Sequence, residues 1–327
     1  MGLSCLTQIN NNNKMECLKS DAIIKFRPNT LFVVRKDVNL EQPGRIDEAV
    51  DILEDWVQKQ AHFVKRDFSR EYLERILVTC KGLVERAKER LDKLCTFKTL
   101  MPEFFAVPDV KKEFEPLFKV IVCAHLPQMT PEYHRVFLIK MVSDNLDSAL
   151  MLSFYKYITA ISEYAMQAEY CAGFQIVIDC TEINVINFVT KVNPIDLRQI
   201  MTLMTEGYGT RIKGIHVITA SKMVDTLISF LKQVFSTKLG DRIHLHKSTE
   251  AWAQTVPKEI LPADYGGDDK TTIELNKSWH QAISSRTFLD YMGEMAKAKT
   301  NESCRTANNF NENYVGMPGS FRALSVD

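Results

Sequence analysis

The chain has 327 residues, 45% of them apolar and 25% charged, and its 41 basic side chains balance 41 acidic ones. This composition is ordinary for a globular protein with a sizeable core, and the length fits one large domain with a helical appendage, or two domains. Zero net charge argues against general nucleic-acid binding, which leaves a basic footprint, while leaving room for a local basic patch. No apolar stretch reaches the ~18 residues of a membrane span; the densest, Ala149 to Ile161, is interrupted by Ser153, Lys156 and Thr159.

The N-terminus carries Asn10 to Asn13 where a signal peptide would have an apolar core. The eight cysteines are scattered with no C-x-x-C pair, so they read as reduced thiols of a cytoplasmic protein. Met1-Gly2 meets the N-myristoylation pattern only in part, because Leu6 stands where Ser or Thr is wanted; Cys5 is a possible palmitoyl acceptor. Residues 1–20 are polar and Asn-rich and read as a disordered tail.

A helical region is expected over 21–120. After the Pro43-Gly44 turn, Ile46, Val50, Leu53 and Val57 recur at helical spacing beside Trp56. Ser69 is a good N-cap for a second helix with Tyr72, Leu73, Ile76 and Leu77 on its apolar side. A third follows Gly82 with Val84, Ala87, Leu91 and Leu94. Residues 45–98 thus form a small bundle, and Pro102, Pro108, Pro116 and Pro127 break up the connection after it.

A second region is expected over 121–285, with the pattern changing near 148. Ala149 to Met166 is apolar nearly all round, as in a helix buried on several sides. Phe174 to Asp179 reads as a buried strand. Asn193-Pro194 opens a helix through about Glu206, which Gly207 and Gly209 stop. Ile212 to Thr219 is a strand, Ser221 to Ser236 a helix, Arg242 to His246 a strand and Thr249 to Thr255 a short helix. Alternating strands and helices predict an α/β fold with a mostly parallel sheet. Residues 286–327 read as a C-terminal tail.

The chain resembles the CRAL-TRIO lipid-transfer family over roughly residues 45–285. The resemblance is carried by the run from Gly214-Ile-His-Val-Ile218 through Arg242-Ile-His-Leu-His246 to Ile260-Leu-Pro-Ala-Asp-Tyr-Gly-Gly267, by the strand ending at Asp179 and by the three-helix segment before it. Departures from the family pattern are Cys180-Thr-Glu-Ile after Asp179, Thr219-Ala-Ser221 after the next strand, and Val78 and Cys80 near Arg75. The resemblance implies an N-terminal helical bundle followed by a mostly parallel-sheet lipid-binding domain with an amphipathic gate helix.

That gate would be the helix after Ser221. At ~100° per residue, Met223, Val224, Leu227, Ile228, Phe230, Leu231, Val234 and Phe235 fall within one arc of about 160°. A surface helix covering a sheet explains the pattern equally; in the family the corresponding helix seals a lipid cavity. Apolar candidates for the cavity wall are Phe154, Ile158, Ile161, Phe174, Ile176, Ile178, Ile215, Val217, Leu227 and Leu231, and Ser153, Tyr157, Thr181 and Ser221 are polar candidates. Arg211, Lys213, Lys238 and Arg242 occupy positions that in a member of the family contact phosphoinositide phosphates, which suits the chemistry of Lys and Arg.

Catalytic motifs are missing. Gly207-Tyr-Gly209 lacks a third glycine, and no P-loop, H-E-x-x-H or G-x-S-x-G occurs. His244 and His246 share a strand face without a third metal ligand, and Asp179 reads as a cap or a gate latch. The expectation is a non-enzymatic, monomeric carrier without metal or cofactor, cytoplasmic and peripherally membrane-associated. Its partners would be a hydrophobic small-molecule ligand of tocopherol or retinoid type and a phosphoinositide-containing membrane surface, with no nucleic acid. The alternatives are a phosphoinositide-responsive membrane adaptor without bulk transfer, and an α/β enzyme.

Overall fold

The structure, a computed structural model, describes residues 7–9 and 15–305. Gly2 and Cys5, the lipidation candidates, and residues 306–327 lie outside the described residues. Strands β1 (Thr7–Ile9) and β2 (Met15–Cys17) pair antiparallel, so the segment expected as a disordered tail contains ordered backbone pairing.

After the short helix α1 (Thr30–Lys36), three helices build the N-terminal bundle: α2 (Arg45–Lys59), α3 (Arg70–Thr79) and α4 (Val84–Leu100). Val50, Leu53 and Val57 pack against Leu73, Ile76, Leu77, Ala87, Leu91 and Leu94, all at most 1% exposed. Ser69 caps α3 by accepting the Tyr72 amide, satisfying one orphan donor of the first turn. Gly82 ends it with φ +71°, and a side chain there would bring a Cβ within 2.5 Å of the Val38 carbonyl. The proline-rich connection carries α5 (Pro102–Phe105), a π-helical turn at Val110–Phe114 and α6 (Glu115–Leu117).

The central sheet has five strands in the order β3 (Ile121–Met129), β4 (His134–Met141), β5 (Gly173–Asp179), β6 (Ile212–Ile218) and β7 (Ile243–His246). β3 runs antiparallel to β4, and the remaining pairs are parallel. The first two strands lie where the sequence suggests only a broken connection. Pro127 sits at the irregularity between His125 and Met129, where the β3 ladder is interrupted and no amide is needed. Both strands are buried almost throughout, so neither shows the alternation that marks a half-exposed strand.

Helices alternate with the parallel strands. They are α7 (Ser148–Ala168), α8 (Val185–Lys191), α9 (Pro194–Thr202) continuing into a π-helical turn at Leu203–Gly207, α10 (Val224–Val234), α11 (Thr237–Gly240) and α12 (Thr249–Ala253). Then come α13 (Thr272–Ile283) and α14 (Arg286–Met295). α13 lies along β3 and serves its outward carbonyls: Asn276 donates to Cys123 O at 2.8 Å and Trp279 Nε1 to His125 O at 2.9 Å. An edge strand is thereby covered. α14 corrects the expected tail from residue 286, because Phe288, Met292 and Met295 are buried in the common core. No helix among the described residues is long and apolar enough to cross a membrane.

Candidate functional site: an apolar cavity under α10

The Leu-Pro-Ala-Asp-Tyr-Gly-Gly run is a folding element of the sheet's C-terminal end. Tyr265 donates its phenol to Asp179 at 2.5 Å and sets its ring edge-on to Trp252. Gly267 is required because a Cβ would lie 1.9 Å from the Leu261 carbonyl oxygen. Asp179 also accepts the Thr181 amide and hydroxyl. Asp179 is therefore a buried cap bonded to Thr181 and Tyr265, and its hydrogen bonds do not reach α10.

Between one face of the sheet and the helices lies a cavity of about 230 Å³, many times what a single water needs. Its wall is overwhelmingly apolar. Of the ten apolar candidates, Phe154, Ile158 and Ile161 reach it from α7, Phe174, Ile176 and Ile178 from β5, Ile215 from β6, and Leu227 and Leu231 from α10. Val217 does not. It lies two residues further along the same face of β6, fully buried in packing beyond the cavity.

α10 closes one side of the cavity by packing on α8 and α9, with Arg198 of α9 donating to the Gln233 carbonyl at 3.0 Å. Leu227, Leu231 and Val234 are buried, and Phe235, just past the helix end, joins Leu227 and Leu231 at the wall. Ile228 and Phe230 are half-buried against the core without lining the cavity. The helix starts at Val224, so Met223 is its exposed N-terminal neighbour. α10 is thus three residues shorter at its start than the pattern suggests.

The four polar candidates are used elsewhere. Ser153 and Tyr157 donate to the Ala149 and Cys123 carbonyls, Thr181 to Asp179, and Ser221 accepts the Met223 amide. Polar groups that do line the cavity include His125 of β3, Tyr155 and Ser162 of α7, and Thr79 of α3. Burial drives the His125 imidazole down to about 3, so it is neutral, and pushes the Tyr155 phenol up. Ile121, Phe137, Ile139 and Met141 line it too, from the two unpredicted strands, and Arg75 and Val78 join Thr79 from the N-terminal bundle.

The basic residues cluster in part. Arg211 and Lys213 stand at the N-terminal end of β6 and Arg242 beside it before β7; partial burial, then the charge of Arg211, with Arg242 and Lys81 adding, holds the Lys213 ammonium below its usual range. Arg211 is paired with Asp37, and Arg242 donates to the Ile212 carbonyl. Lys213 and Lys238 are exposed, the latter on α11 directly after α10. On the opposite sheet face, His216 stacks on both His244 and His246 at 5.2 Å and bonds His246 at 3.0 Å. Gln175 extends this row from β5.

Residues 121–267 match the family model described as CRAL/TRIO domain, and residues 42–114 match that of a Pinta-like, UBA domain. Alpha-tocopherol transfer protein-like proteins of Pongo abelii and Homo sapiens are each 26% identical to the chain over 105 residues. That stretch is 32% of this chain and 30% of theirs, so the chain spans under a third of the length of the curated relatives it matches. Among solved structures, that of Sfh5 is similar with a TM-score of 0.48 and 10% identity, over 83% of this chain and 98% of that one. Preceded by a helical bundle, the five-stranded sheet falls within the matched residues, so the chain contains a CRAL-TRIO domain over residues 121–267.

Proposed function

We propose that the protein is a carrier that holds one apolar small molecule under α10 and exchanges it at an anionic, phosphoinositide-containing membrane. The observation that carries this reading is the apolar cavity itself, with Leu227, Leu231 and Phe235 of the α10 segment forming part of its wall. One face of α10 packs inward, while Asp225, Thr226, Ser229, Lys232 and Gln233 are exposed on the other. If α10 swings out, the same apolar face is uncovered, and an amphipathic helix of this kind rests stably in a bilayer interface. Lys213, Arg242 and Lys238 flank the strands next to it and supply attraction for lipid phosphates. The carrier would work as a cytoplasmic monomer attached to the membrane only peripherally.

A transfer assay tests the reading. Donor vesicles carry a fluorescent apolar lipid analogue, and acceptor vesicles are made with and without phosphoinositide. The protein is expected to accelerate transfer, and more so to the phosphoinositide-containing acceptors. Tight vesicle binding without acceleration would instead support the adaptor alternative.

A further inference from the structure

Two buried polar side chains on the cavity wall have hydrogen-bonding atoms without a partner among the described residues. They are His125, through Nδ1, and Tyr155, through its phenol oxygen; the residues are 6% and 2% exposed. Their ring neighbours offer no hydrogen bond. His125 meets Phe137, Phe174 and Trp279 at 4.8, 5.6 and 5.3 Å, and Tyr155 meets Phe104 and Phe154 at 6.0 and 6.2 Å. Buried donors and acceptors are ordinarily matched, because leaving one unmatched is costly.

The charged groups at the wall are matched already. Glu169 receives Arg135 through both oxygens, at 2.6 and 3.2 Å. Arg75 donates to the Glu169 and Glu71 carbonyls. Arg211 keeps one unpartnered Nη1, but its charge is balanced by Asp37. Arg75 also has the carboxylates of Glu74, Glu169 and Glu71 nearby, so an anionic cargo would enter an apolar space whose cations already face acidic partners.

The two unmatched groups lie well apart. Trp279 is in ring contact with both His125 and Tyr164 at 5.3 Å, so His125 lies toward the Tyr164 part of α7. Tyr155 is nine residues earlier on the same helix, about 14 Å along its axis.

We propose that the cargo is an elongated, uncharged apolar molecule with a hydroxyl or carbonyl oxygen near each end, one received by His125 and the other by Tyr155. This rests on the carrier reading and narrows the class of ligand it takes. Neutral imidazole can donate or accept, and the phenol can do either, so both groups suit hydroxyl and carbonyl oxygens alike.

The test titrates the full-length chain with dodecanediol, dodecanol and dodecanoic acid by calorimetry. The diol is expected to bind most tightly, the alkanol about fivefold more weakly for one hydrogen bond fewer, and the acid weakest. Tyr155→Phe and His125→Phe should each weaken the diol about fivefold. Each should leave the alkanol nearly unchanged, since that molecule can turn round to use the remaining partner. Equal affinity for diol and alkanol, unaltered in both variants, would overturn the proposal while leaving the carrier reading intact. Tightest binding by the acid would overturn it in favour of a carboxylate held by Arg211 or Arg75. Failure of all three probes to bind would count against the carrier reading itself.

Discussion

Lys98, near the end of α4, and Glu163, in the last third of α7, form an ion pair at 2.6 Å with both side chains 1% exposed. Glu163 also accepts the phenols of Tyr208 at 2.8 Å and Tyr291 at 3.4 Å, and Lys98 donates to the Met295 carbonyl. One buried charge pair therefore ties the N-terminal bundle to the cavity helix and to α14. Removing a single partner leaves the other charge buried and unmatched. Lys98→Met should cost about 3–5 kcal/mol of stability, and Lys98→Met with Glu163→Leu clearly less than Glu163→Leu and Lys98→Met summed. Urea unfolding of the two single variants and the double variant checks this, and additive losses would show that the pair is not coupled.

The neutral, buried His125 predicts a pH dependence with a definite sign. Its folded value is held near 3 by burial, against 6.5 for the unfolded chain. Between these values the unfolded state binds more protons, so stability is complete above about 6.5 and erodes as pH falls toward 3. In the pH 5–6 range, before most carboxylates titrate, His125→Phe should flatten the fall of stability by up to about 1.4 kcal/mol per pH unit. His216, also held down to about 4 by burial and then by His246 and His244, gives a slope of the same sign. Its contribution remains in the His125 variant. An unchanged slope in that variant would mean that His125 takes up its proton in the folded chain.

The gate is tested on its apolar face. Leu227 and Leu231 are 1% and 4% exposed, so aspartate at both puts carboxylates into the cavity wall and onto the face offered to a bilayer. The double variant is expected to lose both vesicle docking and transfer. Leu227→Ala alone should loosen cargo retention and keep docking. Wild-type transfer by a folded double-aspartate variant would show that another element admits the cargo.

For the basic patch, Lys213 and Lys238 are the informative positions, because Arg211 and Arg242 also hold structural contacts. Lys213→Glu with Lys238→Glu should weaken binding to phosphoinositide vesicles at low salt by at least tenfold, at about 1 kcal/mol per charge removed. The difference should shrink at high salt as screening grows. Cargo affinity should be unaffected. Equal loss of cargo and vesicle binding would point to a shared site or to misfolding.

Much of this fold is legible in the chain, and the omissions have physical causes. Ser69, Asn193 and Gly82 announce helix ends because capping is a local interaction, and the structure uses each of them so. β3 and β4 escape because Pro127 looks like a breaker, yet it falls at the one place in β3 where the ladder is already interrupted. α14 escapes because residues 286–295 are punctuated by charges that face solvent while Phe288, Met292 and Met295 turn inward. In the cavity, nine of ten apolar candidates follow from strand alternation and helix periodicity, which fix the face a residue shares. His125 and Tyr155 could not be singled out that way. An unmatched hydrogen-bonding atom is a property of tertiary surroundings, and Tyr157, two residues from Tyr155, finds the Cys123 carbonyl.

The carrier account stands or falls on whether the cavity holds cargo. Native mass spectrometry of the full-length protein purified without detergent, followed by organic extraction, measures this directly. The account predicts a mass increment of one small molecule per chain. That increment should be lost on extraction, recovered as an uncharged apolar compound, and sharply reduced in the Leu227→Asp, Leu231→Asp protein. A folded wild-type chain at its bare sequence mass, which takes up no apolar compound when incubated with a cell lipid extract, would contradict it.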